Sequence, residues 1–158
     1  PRIEDNVFCR FILDNYDFNY DSFVSLSEAA EVESMNIPAE EYSGIASLYG
    51  IGMFTALKSL DVSGQTRLTE LDLSKNAALT VLVCDNTSLK ALDLRDCPEL
   101  VSLYAQNTSL ESLDLTHSPS LKEAYLSGSP IKTLYLTAAQ KSTLALVCDP
   151  GTEIIVVE

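Results

Sequence analysis

From Leu57 to Leu136 one hydrophobic spacing returns without a break. The stretches LKSLDV, LTELDL, LTVLVC, LKALDL, LVSLYA, LESLDL, LKEAYL and IKTLYL start at Leu57, Leu68, Leu79, Leu89, Leu100, Leu110, Leu121 and Ile131. Successive starts lie 10 or 11 residues apart, and the steps 68 to 89, 89 to 110 and 110 to 131 are each 21 residues, so the unit consists of two similar halves. In each half the first, fourth and sixth residues are apolar. The last three alternate as a strand does, which turns the second, third and fifth toward solvent. Such a unit cannot bury its own leucines, whereas stacked units bury them continuously, and the chain is therefore a solenoid. Two strands per coil predict two parallel sheets and about four nested coils. The corners SGQT, SKNAA, CDNTS, RDCPE, AQNTS, THSPS and SGSP hold the Gly, Pro, Asn, Asp and Ser that tight turns require.

The flanks break this rhythm. Val7, Phe8, Phe11 and Ile12 share one helical face behind an Asp5 or Asn6 cap, and SLSEAAEVE starts a second short helix. VESMNI and GIASLYGIGMFTAL read as an irregular first coil, and TLYLTAAQKSTLALVCDPGTEIIVVE leaves the repeat phase and ends β-rich. The expected segments are a helix-loop-helix N-terminal cap over 1–36, the irregular coil over 37–56, the repeats over 57–136 and a C-terminal cap over 137–158. The last would be a strand pair that covers the open edges and inward leucines of the final coil.

LTELDLSKNAALTVLVCDNTS resembles, nearly residue for residue, the bacterial nested leucine-rich repeats, whose ten- and eleven-residue halves alternate as here. The resemblance implies a mostly β, right-handed α/β-type repeat solenoid. It also implies a binding role outside the cell, because the relatives are secreted or cell-surface proteins akin to internalin-type adhesins. In such repeats the ninth position carries a small polar group that bonds the backbone of the next coil. Here that position holds Gln65, Asn76, Thr87, Cys97, Thr108, Ser118 and Ser129.

Composition narrows the function. The 158 residues are 46% hydrophobic and 21% charged, enough for one domain with a core. Ten Lys and Arg against 23 Asp and Glu give a net charge of -13, which repels nucleic acid and anionic lipid but tolerates cations. No apolar run approaches the roughly 18 residues of a membrane span, so direct membrane insertion is not expected. The chain opens on Pro1 without methionine, as one trimmed of a leader would. Cys9, Cys84, Cys97 and Cys148 form no CxxC, and with a single histidine they make no zinc set. Cys84 stands at an inward sixth position and reads as a small buried hydrophobe.

Three surfaces carry candidate chemistry. In DFNYDSFVSLSE, Asp17, Asn19 and Asp21 fall at positions one, three and five of a calcium loop, the Phe23 carbonyl at seven, Ser25 at nine and Glu28 at twelve. Ser22 replaces the usual sixth glycine, where positive φ is costly. Weak calcium binding, a loop kept for its shape with Val24 or Leu26 anchoring it, and coincidence are the three readings; similar segments in the repeat family argue against coincidence. The half-repeats from Leu68, Leu89 and Leu110 align Asp72, Asp93 and Asp114 in an acidic ladder, which is either plain family consensus or a ligand surface. The half-repeats from Leu79, Leu100 and Leu121 align Val83, Tyr104 and Tyr125, with Val81 and Val101 beside them. Tyr104 and Tyr125 are expected in contact and exposed on one sheet, as a surface for a protein or glycan, unless β-propensity or packing accounts for them. His117 has no nucleophile fixed beside it, and the repeated carboxylates are equivalent where acid-base catalysis needs unlike pairs. A non-enzymatic binding module is the leading expectation, and a passive spacer within a larger surface protein is the alternative.

Overall fold

The computed structural model describes residues 4–158. Helix α1, Asn6–Tyr16, starts where Asp5 accepts hydrogen bonds from the amides of Val7 and Phe8. It lays Phe8, Phe11 and Ile12, all fully buried, against the first coil. The other carboxylate oxygen of Asp5 accepts from the amides of Ala46 and Ser47, which ties the helix start to that coil. Helix α2, Leu26–Ala29, is a single turn closed by a capping box between Ser25 and Glu28. It is shorter than expected because Val32 and Met35 both enter the core, which draws the chain out into a strand.

The strands follow in the order β1 Ser34–Asn36, β2 Ser59–Asp61, β3 Val81–Val83, β4 Ser102–Tyr104, β5 Ser112–Asp114, β6 Glu123–Tyr125 and β7 Thr133–Thr137. Helix α3, Ala138–Thr143, then leads to β8, Ala145–Val147, and β9, Glu153–Val157. Two parallel sheets result, one of six strands in the order β1-β2-β3-β4-β6-β8 and one of three in the order β5-β7-β9. The fold is thus the expected leucine-rich solenoid, but it has six strands on its long sheet where four coils were expected. The repeats supply four of them, and the segment 1–36 and the terminal segment each add one, β1 and β8. Met35, Leu60, Leu82, Leu103 and Ala124 stack in register along the interior of the long sheet and are buried.

Three other expectations change. The LDL segments at 71–73 and 92–94 belong to no strand, so the second sheet begins only at β5. The ninth-position polar groups are buried as expected, yet Gln65, Asn76, Ser118 and Ser129 bond carbonyls of the preceding coil, not the next. Thr87 and Thr108 turn back on carbonyls three residues before them. The third change is at the C-terminal end, where β8 and β9 do not pair with each other but prolong the two sheets in register. α3 does not cover that end because Gln140, buried in it, reaches back to the carbonyls of Leu115 and Ser118 and holds the helix at the preceding corner. Among the described residues no helix is long and apolar enough to cross a membrane.

Candidate binding faces

Because the central leucines of the long sheet point inward, the neighbouring positions point out. One outward row runs Asn36, Asp61, Val83, Tyr104, Tyr125, Val147 in strict strand register. Tyr104 and Tyr125 stack with ring centroids 5.1 Å apart and planes 3° from parallel. Each ring shields the other, so both are half-buried instead of fully exposed. Glu123, on the adjacent outward row, accepts from Ser102 Oγ at 2.7 Å and from the Tyr104 hydroxyl at 2.8 Å. These two bonds hold the Glu123 carboxyl below the usual range, and the bond to Glu123 raises the Tyr104 phenol. Val81 lies in the Glu123 row, and Val101 precedes β4, its amide donating to the Thr80 carbonyl. Val147, within the segment 137–158, extends the apolar row as the register partner of Tyr125. The tripeptide Leu-Val-Cys at 82–84 recurs at 146–148 and is the signal that could have placed it.

On the other side, Asp72, Asp93 and Asp114 each accept the amide two residues onward, from Ser74, Arg95 and Thr116, at 3.0, 3.0 and 2.9 Å. Their shared duty is to close turns. Asp93 also pairs with the Arg95 guanidinium, which takes its carboxyl down to about 2. Asp72 is lowered by its bonds to Ser74. Asp114 accepts from Thr116 Oγ1 at 2.6 Å and lies 3.7 Å from His117 Nδ1. Only Asp114 of the three stands in a strand, with Tyr135 as its register partner. Turn amides and the basic Arg95 thus compensate the negative charge along the ladder.

The Asp17–Glu28 loop takes a tight form, with φ of 60° at Tyr20 and 67° at Ser22. Asp17 accepts from the amides of Asp21 and Ser22, Asn19 from Asp21, and Asp21 from Phe23. Glu28 Oε1 accepts from the amides of Phe18 and Asn19, and its Oε2 from Ser25. Ser25 caps α2 through its Oγ, and the Phe23 side chain is exposed. Val24 is buried and anchors the loop, whereas Leu26 is 63% exposed. Among the described residues no three acidic, His or Cys side chains gather as a metal ion requires. Of the set Asp17, Asn19, Asp21, Phe23, Ser25 and Glu28, the side-chain oxygens of Asp17, Asn19, Asp21, Ser25 and Glu28 all accept backbone amides of the loop and of α2 in this arrangement.

All four cysteines are free thiols. Burial pushes Cys84 far above the ordinary range and Cys97 up to about 11, so neither is a nucleophile. His117 sits on an exposed corner beside Thr116 Oγ1.

A family model described as a leucine-rich repeat matches residues 85–98 and 106–121. No curated protein matches the sequence. Among solved structures, the functional domain of InlJ from Listeria monocytogenes, which includes a cysteine ladder, aligns with TM-score 0.52 and 18% identity over 85% of this chain and 42% of that one. An internalin, InlF, of the same species aligns with TM-score 0.51 and 15% identity over 96% of this chain and 56% of that one. Internalin C2 gives TM-score 0.54 and 10% identity over 97% and 93%. This chain thus spans less than two thirds of the first two. Cys84 and Cys97 occupy different repeat positions and build no ladder of their own. In fold, the chain is a leucine-rich repeat solenoid of the architecture seen in the Listeria internalins.

Proposed function

We propose that this solenoid is a non-enzymatic recognition module that binds a protein partner through the outward row Val83, Tyr104 and Tyr125, flanked by Val81 and Val101 and extended by Val147. The observation that carries this reading is the parallel stack of Tyr104 on Tyr125 in the middle of an apolar row on the more regular sheet. Tyrosines bring large, stiff apolar area to an interface at low entropic cost. A sugar stacks on ring faces, but in this pair the two facing surfaces cover each other and the rings offer edges and hydroxyls, which favours a protein over a glycan. Glu123 and Asp61 border the row, so the partner carries Lys or Arg opposite them, and the net charge of -13 argues against nucleic acid. The fold shared with bacterial internalins supports a place outside the cell.

The test is a paired protein and glycan array probed with the wild type and with Tyr104→Ala and Tyr125→Ala. Protein hits weakened by about tenfold or more in both variants support this reading, as expected of aromatic interface anchors. Glycan hits alone would replace protein by carbohydrate as the ligand class. If no hit responds to either substitution, the solenoid is a passive spacer on this face.

A further inference from the structure

The outward row of the long sheet is not apolar throughout. Ahead of Val83 it carries Asp61 and then Asn36, in strict register one and two coils back. These two residues also line a recess of about 380 Å³ at the head of the row, together with Glu40, Ser63 and Asn86. Among the described residues no lysine, arginine or histidine lines it. Asp61 accepts the Ser63 amide on Oδ1 at 2.9 Å, and no described residue bonds its other oxygen. Glu40 is exposed. A recess walled by acceptors, two of them carboxylates, suits the head group of one Lys or Arg. The Val83, Tyr104 and Tyr125 positions that follow it suit apolar side chains.

Spacing decides which backbone can present both. Paired strands lie about 4.8 Å apart, so Asp61, Val83, Tyr104 and Tyr125 recur at that interval along the solenoid axis. Residues on one face of an α-helix recur about every 5.4 Å along its axis, a slip of roughly 0.6 Å per coil. Residues on one face of an extended segment lie about 6.7 Å apart, so after two coils such a segment is out by roughly 4 Å, most of a coil. Building on the protein-binding reading of this face, we propose that its occupant is an amphipathic helix laid along the solenoid axis. One Lys or Arg of that helix sits in the recess of Asn36, Glu40 and Asp61, and apolar residues at i+4, i+7 and i+11 from it cover Val83, Tyr104 and Tyr125. The net charge of -13 favours the approach of such a cationic segment.

Fluorescence anisotropy of designed peptides against the 158-residue chain tests this. The probe is a labelled peptide of about 18 residues, long enough to hold a helix, with one Arg and with Leu at i+4, i+7 and i+11 from it in an alanine and glutamine background. It is expected to bind saturably and to gain helical circular dichroism on binding. Tyr104→Ala and Tyr125→Ala should each weaken it by about tenfold or more. Asp61→Asn, which keeps an acceptor for the Ser63 amide, and Glu40→Gln should each weaken it by about threefold, and by less in high salt. Glu in place of the peptide's Arg should weaken it by about tenfold or more. A peptide of the same composition with leucines at every second residue that binds as tightly as the helical one overturns the proposal. So does a helical peptide that fails to saturate at millimolar concentration, or one indifferent to Asp61→Asn and Glu40→Gln combined. Array hits that depend on Tyr104 and Tyr125 beside an inert helical peptide would sink the helix alone, whereas loss of tyrosine dependence in both experiments would sink the binding face itself.

Discussion

Asn107 donates its side-chain amide to Oδ1 of Asn86 at 3.0 Å across one coil, and both residues hold left-handed backbone with φ of 53° and 57°. Gly64 and Gly128 occupy the same corner in the flanking coils, each at φ 76°. Asparagine tolerates this conformation better than other residues that carry a β-carbon. Asn107→Ala is expected to destabilise by about 1–2 kcal/mol through backbone strain alone, and Asn107→Gly by less. A β-carbon at Gly128 would in addition run into the Asn107 side chain, so Gly128→Ala should cost more than either. Urea midpoints of the three variants rank them.

Leu92 and Leu113 occupy the same repeat position, but Leu113 is 2% exposed within β5 while Leu92 is 8% exposed in an unpaired segment. Truncating a buried leucine costs about 2–5 kcal/mol, with the larger values where neighbours cannot relax. Leu92→Ala should fall near the low end of that range and Leu113→Ala near the high end. Equal losses in thermal melts would show that strand pairing does not stiffen the second face.

The Glu123 cluster predicts a two-sided pH response. Its carboxyl is lowered from 4.5 by the bonds from Ser102 and Tyr104, so its contribution to stability is present above that value and lost as pH falls through the lower folded value. The Tyr104 phenol is raised from 10.0, so its contribution holds below that value and is lost as pH climbs through the higher folded one. Wild type should therefore melt above Glu123→Gln at neutral pH, with the gap closing in acid. Removing Glu123 should also bring the Tyr104 absorbance titration back toward 10.0.

Ser22 holds φ of 67° with a β-carbon, a conformation that glycine adopts freely. Ser22→Gly should raise stability by about 1 kcal/mol, the relief of that strain less the added freedom of the unfolded chain. With the loop oxygens already engaged by backbone amides, millimolar calcium is expected to leave the melting temperature unchanged in both proteins. A calcium-dependent rise would mean that Asp17, Asp21 and Glu28 regroup around the ion.

Much of this was legible in the chain because a repeat states its own geometry many times. Eight in-phase copies determine the inward leucines, the long parallel ladder, the corner residues and the alignment of Tyr104 with Tyr125, since each follows from a side-chain period of two and a coil of 21 residues. The buried face of α1 was equally plain from Phe8, Phe11 and Ile12. What the repeat could not settle are interactions between coils, which depend on spacing in three dimensions. Whether LDL segments hydrogen-bond across coils, as at 112–114, or stand unpaired, as at 71–73, is decided by how closely neighbouring backbones approach, and the motif is the same in both places. The tertiary structure likewise decided that Tyr104 and Tyr125 cover each other, that Asp72, Asp93 and Asp114 close turns, and that Glu28 serves the amides of its own loop. The place of the last strands was hidden for a related reason: α3 shifts the phase before β8, and only strand register reveals that Leu146 and Ile154 continue the inward rows of Ala124 and Leu134.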